Sequence, residues 1–143
     1  MTQPAAAAPA PPEPWPKVAL RGLLAAAMVS IGVAHFTSAD AFVSIMPPYL
    51  PAHLLLVHVS GVAEIGGGVG LLIPRLRRAA GWGLIALYLA VFPANIHMAL
   101  NDVPLNGVHA PSWALWLRLP LQAVFIAWAW WVALARPRRQ PRA

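Results

Sequence analysis

Apolar residues gather in four long blocks, at about 18–36, 52–73, 79–100 and 113–135, interrupted by few polar positions and closed by prolines or charges. At 1.5 Å per residue each block reaches roughly 30 Å as a helix, the hydrocarbon thickness of a bilayer. The pattern predicts an all-α membrane protein, a four-helix transmembrane bundle. Between the first two blocks, residues from Ser38 to Met46 form a short surface helix that Pro47 and Pro48 stop. Pro93 lies inside the third block, where a membrane helix tolerates a kink.

Residues 1–16 are almost all Ala and Pro, a composition that cannot bury a core, and read as a disordered tail. The membrane domain is expected over 17–135, with a basic tail over 136–143. A cleavable signal peptide is the rival reading of the first block, given its basic start and Ala39-Asp40-Ala41, but the apolar run is long for one.

Charge adds orientation. The chain carries a net +6, and its basic residues fall in three groups: Lys17 and Arg21; Arg75, Arg77 and Arg78; and Arg136, Arg138, Arg139 and Arg142. The other two connections have none. The positive-inside rule then sets both ends on the cytoplasmic side, N-in and C-in. Such short groups between spans form no basic face for nucleic acid. Trp113 and Trp116 mark one interface of the last span and Trp128, Trp130 and Trp131 the other, about 25 Å apart. The absence of cysteine excludes disulfides and thiol redox chemistry within the 143 residues.

Ionisable groups are costly in hydrocarbon, so their depths matter. Counted from the outer ends of the spans, His97 lies ~6 Å deep, Arg118 ~7 Å, His58 and Asn95 ~9 Å, Gln122 ~13 Å and Glu64 ~18 Å. At about 100° per residue, His97 shares a face with Ala86 and Ala90. Arg118 and Gln122 share another, as do Ser60 and Glu64, while Asn95 sides with Tyr88. Small-residue stripes are expected to mark helix contacts: Gly66-x-x-x-Gly70 and Ala63-x-x-x-Gly67 in the second span, Ala86-x-x-x-Ala90-x-x-x-Ala94 in the third. The expected interior therefore holds Glu64, Ser60, His97, Arg118 and Gln122, with His58 at its margin and Glu64 in contact with His97 or Arg118; Asn95, on the Tyr88 side, is a further candidate for the site.

Blander roles compete with a ligand site: Arg118 can snorkel to the interface, and the whole group can serve as a structural polar clasp. All five histidines, His35, His53, His58, His97 and His109, sit in the outer half or outer loops, yet none follows a metal-ligating spacing, and no metal site is expected. A quinone headgroup is the cofactor these residues would suit, with a carboxylate or imidazole moving the proton and a cation holding an oxygen. No nucleophile–base pairing or phosphate loop is present, and Gly66, Gly67 and Gly68 lie within an apolar span, so they read as packing.

Residues 60–75, S-G-V-A-E-I-G-G-G-V-G-L-L-I-P-R, together with Ala80-Gly-Trp-Gly and Phe92-Pro-Ala-Asn-Ile-His-Met-Ala, resemble the DoxX-like family of small bacterial membrane proteins. The resemblance covers roughly Gly22 to Ala135 and implies a four-helix membrane bundle. It also implies that Glu64, Asn95 and His97 are motif positions, and that membrane redox proteins are partners. The expected function is an accessory or redox-associated subunit without catalysis of its own. The competing expectations are a quinone-linked oxidoreductase subunit using Glu64, His97 and Arg118, and a small proton-coupled transporter using Glu64. Partners allowed by these residues are lipid, a redox protein and a second copy of the chain.

Overall fold

The computed structural model describes residues 13–104 and 109–135. Five helices follow in order: α1 (Trp15–Thr37), α2 (Ala39–Ser44), α3 (His53–Leu72), α4 (Arg77–Asn101) and α5 (Ser112–Ala133). The described residues contain no strand. Helices α1, α3, α4 and α5 are long and apolar enough to cross a membrane. Helix α4 runs through Pro93 and α5 through Pro120.

The four long helices form a closed ring in which α1 packs on α3, α3 on α4, α4 on α5 and α5 on α1, while α2 packs on α1 and α3. The apolar surface is largely turned outward: Leu54, Leu55, Val62, Leu89 and Val124 are all more than half exposed. That is the pattern of a bundle solvated by lipid, whose backbone polar groups are satisfied within each helix. Inside, one apolar cluster is built from Leu24, Met28, Leu71, Leu84, Ile85, Tyr88, Ala129 and Val132. A smaller one, Met98, Ala99 and Leu115, closes the opposite end.

Tight packing occurs where α1 crosses α3. A Cβ on Gly61 would lie 2.7 Å from the His35 Cβ and 2.9 Å from the Gly32 carbonyl oxygen. A Cβ on Gly32 would lie 2.8 Å from the Gly61 carbonyl oxygen in return. Only glycine at both positions lets these backbones meet. The expected small-residue stripes lie elsewhere: Gly66 has no atom within 4 Å of its Cβ position, and Ala63, Ala86 and Ala90 are exposed. Gly67 and Gly70 do pack, against Leu84 and Ala80. Helix α4 instead buries its bulky face, Leu84, Ile85 and Tyr88. Of the alanine stripe only Ala94 is buried, at the chamber wall, while Ala86 and Ala90 face out.

At the basic end, charges tie the ring shut. Glu13 accepts from Arg21 Nη1 and Nη2 at 2.9 and 2.8 Å and from Arg77 Nη1 at 3.1 Å. Arg21 Nε donates to the Val132 carbonyl and Lys17 Nζ to that of Ala135. The last carbonyls of α5 have no partner within their own helix, and these cations supply it while meeting the negative end of the helix dipole. Both Lys17 and Arg21 are buried. The expected tail therefore ends sooner than residue 16: Trp15 opens α1 and Glu13 is a structural residue. Residues 1–12 and 136–143 lie outside the described part.

Candidate ligand cavity

Between the two apolar clusters lies a cavity of about 350 Å³, open to the exterior and bounded by α1, α2, α3, α4 and α5. Its wall is mostly apolar, including Ile31, Phe42, Val57, Val91, Leu121 and Phe125. Polar groups enter it from four helices: His35 from α1, Ser60 and Glu64 from α3, Tyr88 and Asn95 from α4, and Arg118 and Gln122 from α5. A volume near the lower bound of small-molecule pockets, apolar with a few convergent polar groups, has the make-up of a ligand site.

Glu64 is buried, and its Oε2 stands 3.1 Å from His35 Nδ1. The same ring nitrogen lies 2.9 Å from the Ile31 carbonyl oxygen. A carbonyl oxygen can only accept, so Nδ1 carries the hydrogen and directs it at Ile31. Glu64 Oε2 is left beside the imidazole with no donor aligned on it, and no hydrogen-bond partner for it exists among the described residues. Phe42 of α2 stacks on the His35 ring at 3.8 Å and fixes its plane.

The pair forms because of how side chains lean. Cβ atoms tilt toward a helix N-terminus, so on the antiparallel α1 and α3 the side chains of His35 and Glu64 lean toward each other until they meet. The crossing of Gly32 and Gly61 brings the two backbones close enough. Each glycine sits three residues before its polar partner, one turn away on the same face. His35 was not among the residues expected at the site, because near the end of its span it counts as shallow. The repeated spacing Gly32-x-x-His35 and Gly61-x-x-Glu64 is the signal that identifies it.

A second polar chain runs between α4 and α5. Asn95 Nδ2 donates to Gln122 Oε1 at 2.7 Å, and Gln122 Nε2 donates to the Tyr88 carbonyl. Pro93 cannot donate to its own helix, and Gln122 serves a carbonyl in the turn preceding that gap. Arg118 Nη1 points to Met98 Sδ at 2.9 Å, and the Tyr88 hydroxyl to Met28 Sδ at 3.0 Å.

Of the residues expected at the site, Glu64, Ser60, Asn95, Arg118 and Gln122 line the cavity together, while His97 and His58 do not. Glu64 is within ion-pair distance of neither Arg118 nor His97; its titratable neighbour is His35. The expected contact is corrected accordingly. His97 does share the phase of Ala86 and Ala90, but that face of α4 points away from the chamber, and its Nδ1 accepts from Asn101 Nδ2 one turn on. Asn95, with Tyr88, is on the inner face. His58 stacks on Phe36 at 5.1 Å. His53 meets the Pro47 carbonyl and His109 meets Asp102, so the histidines go to separate partners. No three His, Asp or Glu residues converge at metal-ligating distance among the described residues.

Helices and cavity together define a polytopic helical membrane protein enclosing a small, mostly apolar chamber with a buried carboxyl group. The chain belongs to the family described as Domain of unknown function (DUF8561), which matches residues 24–133. That stretch contains every residue of the cavity wall and stops short of Glu13, Lys17 and Arg21. No curated protein and no solved structure matches the chain.

Proposed function

We propose that this chain is a DoxX-like protein of the bacterial inner membrane with both ends cytoplasmic, acting as an accessory or redox-associated subunit without catalysis of its own. In this role its cavity holds a small lipid-soluble molecule of the quinone kind. The orientation is supported by the confinement of Arg75, Arg77, Arg78 and the Lys17–Arg21 pair to one end of the bundle. The cavity then lies toward the outer leaflet, facing partners on that side of the membrane.

The observation that carries the ligand-binding reading is Glu64 Oε2, a buried carboxyl oxygen with no donor, at the wall of a 350 Å³ chamber. A polar clasp built only for stability would satisfy its own central acceptor, since an unmet buried acceptor costs about 1–3 kcal/mol. The competing oxidoreductase arrangement of Glu64, His97 and Arg118 has less support, because His97 stands outside the chamber.

The test is mass spectrometry of organic extracts from protein purified in mild detergent, beside Ala94→Phe and Val91→Phe, which fill the chamber from α4. A lipid-soluble compound at near-equal stoichiometry, lost in both variants while they keep their thermal midpoint, is the expected result. Identical extracts from all three proteins would refute the reading.

A further inference from the structure

The polar groups of the chamber are mismatched to the partners they have, and the mismatch specifies a ligand. Glu64 is 9% exposed, its Oε2 accepts no hydrogen bond, and the single hydrogen of His35 Nδ1 is committed to Ile31. This position calls for a donor. Arg118 and Tyr88 present the opposite case, strong donors resting on the thioether sulfurs of Met98 and Met28. A thioether is a weak acceptor that a ligand oxygen would displace. Arg118 is exposed at the rim of the chamber, so its four further N–H groups are open to a ligand as well as to the surroundings.

The body of the ligand follows from the walls. His35 and Phe42 are stacked at 3.8 Å, and Tyr88 and Phe125 lie 6.1 Å apart on another side of the chamber. Flat aromatic surface pairs well with such rings, and a rigid ring loses little freedom on binding. Resting on the cavity reading above, we infer that the chamber takes a lipid-soluble phenol. Its hydroxyl donates to Glu64 Oε2, its ring lies among the aromatic side chains, and a second oxygen, a carbonyl or ether, accepts from Arg118. For a quinone-type ligand this selects the hydroxyl-bearing form. Both oxygens of the dione are acceptors, and one of them would face the lone pairs of Glu64.

Binding of hexyl 4-hydroxybenzoate and hexyl 4-methoxybenzoate to the full chain in lipid nanodiscs tests this, because the second replaces the phenolic hydrogen with a methyl group and so keeps the oxygen but loses the donor. The phenol is expected to bind about 10- to 100-fold tighter, the factor for a hydrogen bond to a charged group. In Glu64→Gln the ratio falls to within about threefold, since an amide can turn either its donor or its acceptor to the ligand. Arg118→Met weakens both compounds by the same factor. Should Glu64→Gln not fold, Glu64→Asp withdraws the carboxylate by one methylene and lowers the ratio likewise. Equal affinities in the unmodified protein would overturn the phenol inference and leave the cavity reading standing. Saturable binding of neither compound, or binding that Ala94→Phe leaves intact, would overturn both.

Discussion

Gly61→Ala is the substitution that most directly tests how the bundle is held and how the site is placed. The added methyl group would lie 2.7 Å from the His35 Cβ, 2.8 Å from Phe36 Cε2 and 2.9 Å from the Gly32 carbonyl oxygen. Ordinary carbon–carbon contact is about 3.5–4.0 Å. Phe36 can swing away, but the Gly32 carbonyl is backbone, so α1 and α3 must separate by roughly 0.5–1 Å at their crossing. Overpacking of this kind costs about 1–3 kcal/mol. The gap it opens along the rest of the interface forfeits a further share of the dispersion contacts. A loss of about 2–3 kcal/mol corresponds to a thermal midpoint ~8–12 °C lower for a chain of this size. Separation also draws His35 away from Glu64, so phenol binding should weaken alongside stability. The assay is thermal unfolding in detergent, with Gly66→Ala as the matched control on the same helix. Gly66 has nothing within 4 Å of its Cβ position, and alanine is the better helix former, so the control should be neutral or slightly stabilised. Equal midpoints for the two variants would refute the close crossing.

Acid should loosen the basic end. The Arg21 fork holds the Glu13 carboxyl below its ordinary value of 4.5, with Arg77 and Lys17 adding to the effect against some desolvation. A lowered folded value means the stabilisation is complete above pH 4.5 and is lost as pH falls through the folded value. The thermal midpoint should therefore drop on acidification below that point, and Glu13→Gln should be less stable near neutrality but flatter toward acid; a wild-type profile as flat as that of the variant would contradict the assigned pairing. Gln122→Leu removes the donor to the Tyr88 carbonyl and the acceptor of Asn95. Destabilisation of about 1–2 kcal/mol is expected from membrane hydrogen-bond values, and an unchanged midpoint in thermal unfolding would show that the α4–α5 polar chain contributes nothing.

Much of the architecture could be read from hydropathy because a bilayer imposes length. The expected spans at 18–36, 52–73, 79–100 and 113–135 differ from α1, α3, α4 and α5 by three residues or fewer at every end. The short helix before Pro47 and Pro48 is α2. What hydropathy cannot assign is which side of an apolar helix faces in. Helix α4 shows why: its two faces, Ala86–Ala90–His97 and Tyr88–Asn95, were separable by phase, but both are largely apolar with one or two polar groups. A small-residue stripe is a rule for helices in close contact. Helix α4 makes its close approaches at Ala80 and Gly81, against Gly70 and Ala133, and buries Leu84, Ile85 and Tyr88 beyond them, so the Ala86–Ala90 stripe selects the wrong face there.

The charged residues show a second limit of reading depth along one axis. Lys17 and Arg21 signal topology, and that use fully explains their presence in the sequence, which hides their other task as partners for the α5 carbonyls. Likewise His35, shallow by residue count, meets the deeper Glu64 because two antiparallel helices lean their side chains toward each other at a glycine crossing. Both cases follow from one geometric fact: polar groups in a membrane bundle find partners across helices, at distances set by backbone approach. The α1–α3 crossing is thus both the close seam of the fold and the device that presents Glu64 to the chamber. Stability and ligand selectivity should fail together when it is opened, whereas the Glu13 knot at the far end should govern stability alone.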